Sequence, residues 1–184
     1  MKIGIDISQV VYEGTGVARY VRAMVSELLT LDRKNDYVLF GASLRRTGDL
    51  KRFFRDVRRR NARVRLVIVP IPPTVLEFLW NRLHIVPIEL FTGSIDIYWS
   101  SDWTQPPLAR ARGMTTIHDV SVLRYPESFS SPIVTVQKRR LLRAKKVCQV
   151  FLCDSEATKK DAVSLLGIRE NQLRVIYPGF PDRS

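Results

Sequence analysis

Apolar and polar positions follow two alternating rhythms along this chain. Short, strand-like apolar runs recur at residues 2–7, 37–40, 64–69, 95–99, 114–117, 149–153 and 173–176. Several contain almost no polar residue, as parallel strands covered on both faces require. Between them a helical rhythm appears at about 15–31, 48–60, 73–91, 129–147 and 155–167. In the first of these, Val17, Tyr20, Val21, Met24, Val25, Leu28 and Leu29 share one face. Phe53, Phe54 and Val57 give the second a single buried stripe beneath a basic outer face. Asp154 or Ser155 can cap the last helix, Glu156 complements its N-terminal dipole, and Gly167 suits its C-terminus. The pattern predicts an α/β fold: a doubly wound, mostly parallel sheet of about seven strands with helices on both faces.

Sheets of that kind bind ligands at the carboxyl ends of their strands, near the point where strand order reverses. The expected crevice is therefore lined by the loop Gly14-Thr15-Gly16 after the first strand, residues 100–103 after the fourth, and His118-Asp119 after the fifth. Glycines at a helix N-terminus let backbone N–H groups approach an anion, most often a phosphate. An ordinary strand-to-helix turn would look much the same. The loop fits neither the dinucleotide fingerprint, since Arg19 stands where a third glycine belongs, nor a Gly-Lys-Ser/Thr phosphate loop. His118 at a strand end can bond a ligand hydroxyl or move a proton, or it can simply fill space. His84, in a leucine-rich stretch, reads as structural. Residues 75–83 read as a buried helix, the alternative being an interfacial membrane contact through Phe78 and Trp80.

Composition narrows the picture. The 184 residues are 45% hydrophobic and 26% charged, values of an ordinary globular chain, and suffice for one buried domain. No uncharged apolar run reaches the length of a membrane span, and Asp6 interrupts the only candidate secretory segment. Cys148 and Cys153 have no ligand company and read as small buried residues in a reducing compartment, so a cytoplasmic location is expected. The net charge of +12 is the outlier. Ten Lys or Arg fall within residues 45–65 against Asp49 and Asp56. A second group gathers Lys138, Arg139, Arg140, Arg143, Lys145 and Lys146. Such runs are solvated helix faces or attract polyanions. Without interleaved aromatics or a nucleic-acid-binding signature, an anionic lipid surface is favoured over nucleic acid.

Three motifs in order carry a family resemblance: Gly14-Thr15-Gly16-Val17-Ala18-Arg19-Tyr20; Thr116-Ile117-His118-Asp119-Val120 with Tyr125-Pro126-Glu127; and Cys153-Asp154-Ser155-Glu156-Ala157-Thr158-Lys159-Lys160-Asp161. Together they resemble the N-terminal half of the group 1 retaining glycosyltransferases, many of them mannosyltransferases. Leu173-Arg174-Val175-Ile176-Tyr177-Pro178-Gly179 resembles that family's junction into its second domain. The resemblance implies that residues 1–178 form the N-terminal, acceptor-side member of the two Rossmann-like domains of a GT-B enzyme. Such an enzyme moves a sugar from a nucleotide diphosphate sugar to an acceptor hydroxyl, generally without metal or other cofactor. It implies that Gly14, Thr15 and Gly16 face the donor phosphates and that His118 bonds the transferred sugar. Asp119 would orient His118 or the acceptor. Arg19, Ser101, Asp102 and Trp103 are implied acceptor contacts.

The family's paired glutamates eight positions apart are missing, and residues 179–184 are expected to begin the linker to an absent C-terminal nucleotide-sugar domain. The chain is thus expected to be the acceptor-side half, a cut piece or a truncated frame, and inactive alone. It would belong to polysaccharide or glycolipid synthesis, peripheral on the cytoplasmic face, with residues 45–65 against anionic headgroups. The alternative is a non-catalytic module binding an anionic glycan or lipid.

Overall fold

A computed structural model describes residues 1–179. The last five residues of the expected linker lie outside the described residues. Strand β1 (Lys2–Asp6) sits inside a sheet whose strands all pair in parallel. On one side lie β2 (Asp36–Ala42) and then β3 (Val64–Val69). On the other lie β4 (Ile97–Ser100), β5 (Arg112–Ile117), β6 (Cys148–Cys153) and β7 (Leu173–Val175) in that order. The chain order therefore reverses between β1 and β4. The described residues bear out the doubly wound, Rossmann-like fold.

Alternation along the strands explains the layers. Tyr37 and Leu39 of β2 join Ile5, Trp99 and the buried sides of helices α1 (Gly16–Leu31) and α2 (Thr47–Arg60) in one core. Val38 and Phe40 point the other way, onto Leu76, Trp80, Ile88 and Tyr98. The predicted stripe of α1 holds: Tyr20, Val21, Val25 and Leu29 are buried, with Val17, Met24 and Leu28 packed against them. The sheet carries one irregularity. Gly113 pairs with Cys148 but Met114 with Val150, leaving Gln149 as an extra residue whose side-chain oxygen accepts from the Gly113 N–H at 2.7 Å.

The single helix expected over 73–91 does not form. Helix α3 (Pro73–Leu76) runs into a π-helix at Glu77–Leu83, then stops where His84 and Val86 take positive φ values of 57° and 65°. A short α4 (Glu89–Thr92) follows. The physical cause is Pro87, which lacks an N–H and pushes the residue before it out of the helical region. Trp80 is fully buried while Phe78 is 43% exposed, so the segment expected to be a buried helix is buried only in part. His84 is structural as expected, its Nδ1 lying 3.0 Å from the Trp80 carbonyl oxygen.

Helices α5 (Ser121–Arg124), α6 (Ser131–Val147) and α7 (Glu156–Leu166) cover the β5–β7 half, where both cysteine thiols are buried and free. Burial pushes the Cys148 thiol up to about 12 and the Cys153 thiol up to about 11. The second basic cluster is only in part a solvated face. Arg140 of α6 is buried and donates to the Ser101 carbonyl at 3.0 Å, the Thr116 carbonyl at 3.0 Å and the Thr115 hydroxyl. Arg143 donates to the carbonyls of Asn81 and Arg82, the last residues but one or two of the π-helix. Lys138, Lys145 and Lys146 are the exposed members of that group.

Replacing Arg140 with methionine keeps the volume but orphans buried carbonyls, so a loss of about 3 kcal/mol is expected. Urea unfolding should show a lowered midpoint, and Arg140→Lys should recover only part of it.

Candidate functional site

Where the strand order reverses, the loops after β1 and β4 diverge and leave two adjoining hollows. The larger has a volume of about 600 Å³ and takes in Ser8, Gln9, Thr15, Ser101 and Trp103. The smaller is lined by Asp6, Tyr20, Asp102, Thr116 and His118. Val17 and Ser101 line both. Of the three segments expected to converge, Thr15, the loop after β4 and His118 do so, with the Tyr20 ring set edge-on to the His118 ring at 4.8 Å between centroids.

The glycine loop is built by local chemistry. Gly14 has φ +89°, a conformation that strains any side chain, and a Cβ at either Gly14 or Gly16 would meet open space. Thr15 is the N-cap of α1: its hydroxyl accepts from the Ala18 N–H at 3.2 Å and donates to the Tyr12 carbonyl at 2.9 Å. Its own N–H also donates to Tyr12. Thr15 therefore has no hydrogen left for a phosphate, contrary to expectation. The N–H groups of Gly16 and Val17, in the first helical turn, remain available.

His118 continues β5, and its Nδ1 lies 2.7 Å from Asp154 Oδ2. A carboxylate only accepts, so Nδ1 carries the proton and the neutral ring keeps a lone pair on Nε2. Asp119 was expected to orient His118 or the acceptor. That carboxylate is exposed and accepts from the Ser121 N–H at 2.8 Å, closing the turn into α5. The register explains the exchange: Ile117 pairs with Cys153, which places the next residues, His118 and Asp154, side by side. Ser155, not Asp154, caps α7, and Thr158 from its first turn donates its hydroxyl hydrogen to the His118 carbonyl at 3.1 Å. The ring and the backbone of His118 are thus both held from α7 and its entry loop.

The loop after β4 is equally fixed. Asn81 donates to the Trp103 carbonyl at 2.9 Å and accepts from the Gln105 N–H at 2.9 Å. Gln105 accepts from the Ser100 hydroxyl at 2.6 Å. Ser101 and Trp103 line the larger hollow and Asp102 the smaller, whereas Gly14, Gly16, Arg19 and Asp119 line neither. Asn81, Gln105, Arg140 and Asp154 are the site-building residues that sequence reasoning missed.

Asp6 is the electrostatic oddity. Burial raises its carboxyl to about 6, against the lowering effect of the Ser8 hydrogen bond. One carboxylate oxygen accepts from the Ser8 N–H; among the described residues the other, like Asp102 Oδ1 and Tyr20 Oη, is buried without a direct hydrogen-bond partner.

A family model described as Glycosyltransferase Family 4 matches residues 14–183. Comparison with curated proteins finds no match.

Two measurements check this geometry. The chain has two histidines, so a ¹⁵N-imidazole spectrum with His84→Ala for assignment should show neutral His118 protonated on Nδ1. Asp154→Ala should abolish that preference. For Asp6, the folded carboxyl keeps its proton to higher pH than the unfolded one, so stability falls as pH rises from about 4 to 6. Asp6→Asn should flatten that slope and raise stability at pH 7 by about 1–3 kcal/mol, read by urea unfolding across pH.

Proposed function

Because the chain belongs to Glycosyltransferase Family 4 and is a glycosyltransferase module, we propose that it is the acceptor-side half of a retaining hexosyltransferase. The enzyme would move a sugar from a nucleotide diphosphate sugar to an acceptor hydroxyl. One observation carries the proposal: Thr15 and Val17 at the start of α1, the Trp103 loop and His118 line two hollows that share walls at the sheet's reversal point. The free N–H groups of Gly16 and Val17 meet the charge that grows on a departing diphosphate, where fixed dipoles act most strongly. His118, held by Asp154, bonds a hydroxyl at the reacting centre. Ser101, Asp102 and Trp103 flank the acceptor.

The outer face of α2 supports a peripheral position on the cytoplasmic side of a membrane, in glycolipid or polysaccharide synthesis. Its Leu50, Phe53 and Val57 are buried, and Lys51, Arg55 and Arg59 stand exposed beside Arg45. Others of the group are engaged: Arg46 donates to the Val11 carbonyl, Arg58 to Val64, and Arg63 pairs with Asp36. Among the described residues no helix is long and apolar enough to cross a membrane.

Joined to a nucleotide-sugar-binding domain of the family, the chain should release nucleoside diphosphate from one of a panel of donors. His118→Ala should lower kcat/KM about a hundredfold without changing the melting temperature. Unaltered turnover in that variant would remove His118 from the chemistry. Vesicle co-sedimentation checks the membrane face. Anionic vesicles should retain the chain, and replacing Arg45, Lys51, Arg55 and Arg59 with glutamine should weaken retention by about 1 kcal/mol each at low salt.

A further inference from the structure

Between α3 and α4 the chain keeps a π-helical winding, a rare geometry that collects at functional sites. Its place in the fold is beside the larger hollow. α3 supplies one wall of that hollow through Pro73, Thr74 and Leu76, and the loop after β4 supplies another through Ser101, Trp103 and Thr104. Asn81, fully buried, ties the two segments together: it donates to the Trp103 carbonyl and accepts from the Gln105 N–H. Its aim depends on the winding. With 3.6 residues per turn, position 81 of an α-helix would stand about 140° round from Leu76. Bonding of the i→i+5 kind widens the turn and brings residues five apart toward one line, and Leu76 and Asn81 are both buried.

The wide turn is closed from two sides. The N–H groups of His84 and Ile85, five and six residues on, both reach the Leu79 carbonyl. Val86, branched at Cβ, takes a φ of 65° and lays its carbonyl on the Trp80 indole N–H at 3.0 Å. A strained residue of that kind persists only where its surroundings over-determine it. From α6, Arg143 donates to the Asn81 carbonyl at 3.1 Å and to the Arg82 carbonyl at 2.9 Å, acceptors in the last turn that have no helical partner. Resting on the glycosyltransferase reading, we propose that Asn81 is a positioning residue for the acceptor, acting through the Trp103 loop, and that the Arg143-capped π-turn aims it. The loop is thereby set from α6, by a cation that bonds the turn's carbonyls and, among the described residues, no atom of the loop. A substrate wall displaced by an ångström costs rate out of proportion to stability.

The test is a double-mutant cycle on the full chain, read in ¹⁵N spectra at the Trp103 indole and the Gln105 amide, with Trp103→Phe for assignment. Arg143→Met should move both signals from outside the loop. Asn81→Ala should move them further, and adding Arg143→Met to Asn81→Ala should then move them no more. Arg139→Met, which removes the α6 cation paired with Glu77 at 3.9 Å, should leave them in place. If Asn81→Ala fails to fold, Arg143→Met, at a half-buried position, decides the matter alone. The second readout is the enzyme joined to a donor domain, with n-octyl glucosides and mannosides as acceptor probes. Asn81→Ala and Arg143→Met should each raise the acceptor KM at least tenfold, while donor hydrolysis without acceptor changes less than twofold. A variant that merely loosened the fold would lower both activities together. Shifts that add in the double variant would overturn the proposal, as would Trp103 and Gln105 signals indifferent to Arg143→Met. Sugar transfer with an unaltered acceptor KM in Asn81→Ala would overturn it too, and would leave the enzymatic reading standing. Coupled shifts in a joined enzyme that transfers to none of the probes would uphold the positioning of the loop and count against sugar transfer.

Discussion

The guanidinium of Arg140 gathers the carbonyls of Ser101 and Thr116 and the hydroxyl of Thr115 into one buried knot. Those oxygens belong to the ends of β4 and β5, the part of the sheet from which both hollows open. A cation without water is costly, and here neutral oxygens surround it, with Asp102 close enough for its field to favour the charged form. Holding the knot together therefore requires α6, the loop after β4 and the end of β5 to keep one arrangement. The positions of Trp103 and His118 are downstream of that arrangement.

Fold and site were unequally legible from the sequence. Seven apolar runs announced seven strands because a parallel sheet covered on both faces leaves little room for polar residues. The glycine loop was legible because Gly14 needs a positive φ that few residues tolerate. The partner of His118 was not, because it lies 36 residues away and depends on the pairing of Ile117 with Cys153. Strand register is a tertiary property, and no local pattern encodes it. The local position of Asp119 made it the nearer candidate, yet its carboxylate serves the next turn.

Arg140 shows a different failure. A run of like charges reads as a solvated face, and five of its six members obscured the sixth. Position 140 nonetheless falls on the stripe that includes Leu141 and Ala144, both buried. Helical spacing, weighed above charge, would have pointed inward. The broken segment after Pro73 shows the converse: apolar spacing extended a helix that Pro87 forbids.

The two thiols of β6 sit at opposite ends of one strand, five residues apart, and thus separated by about 16 Å of extended backbone. A disulfide spans well under half that distance, so oxidation cannot join them while the strand exists. Both are sealed from solvent and reluctant to ionise. Alkylating reagents therefore have no target until β6 leaves the sheet, which makes their uptake an internal clock for the opening of this half of the molecule.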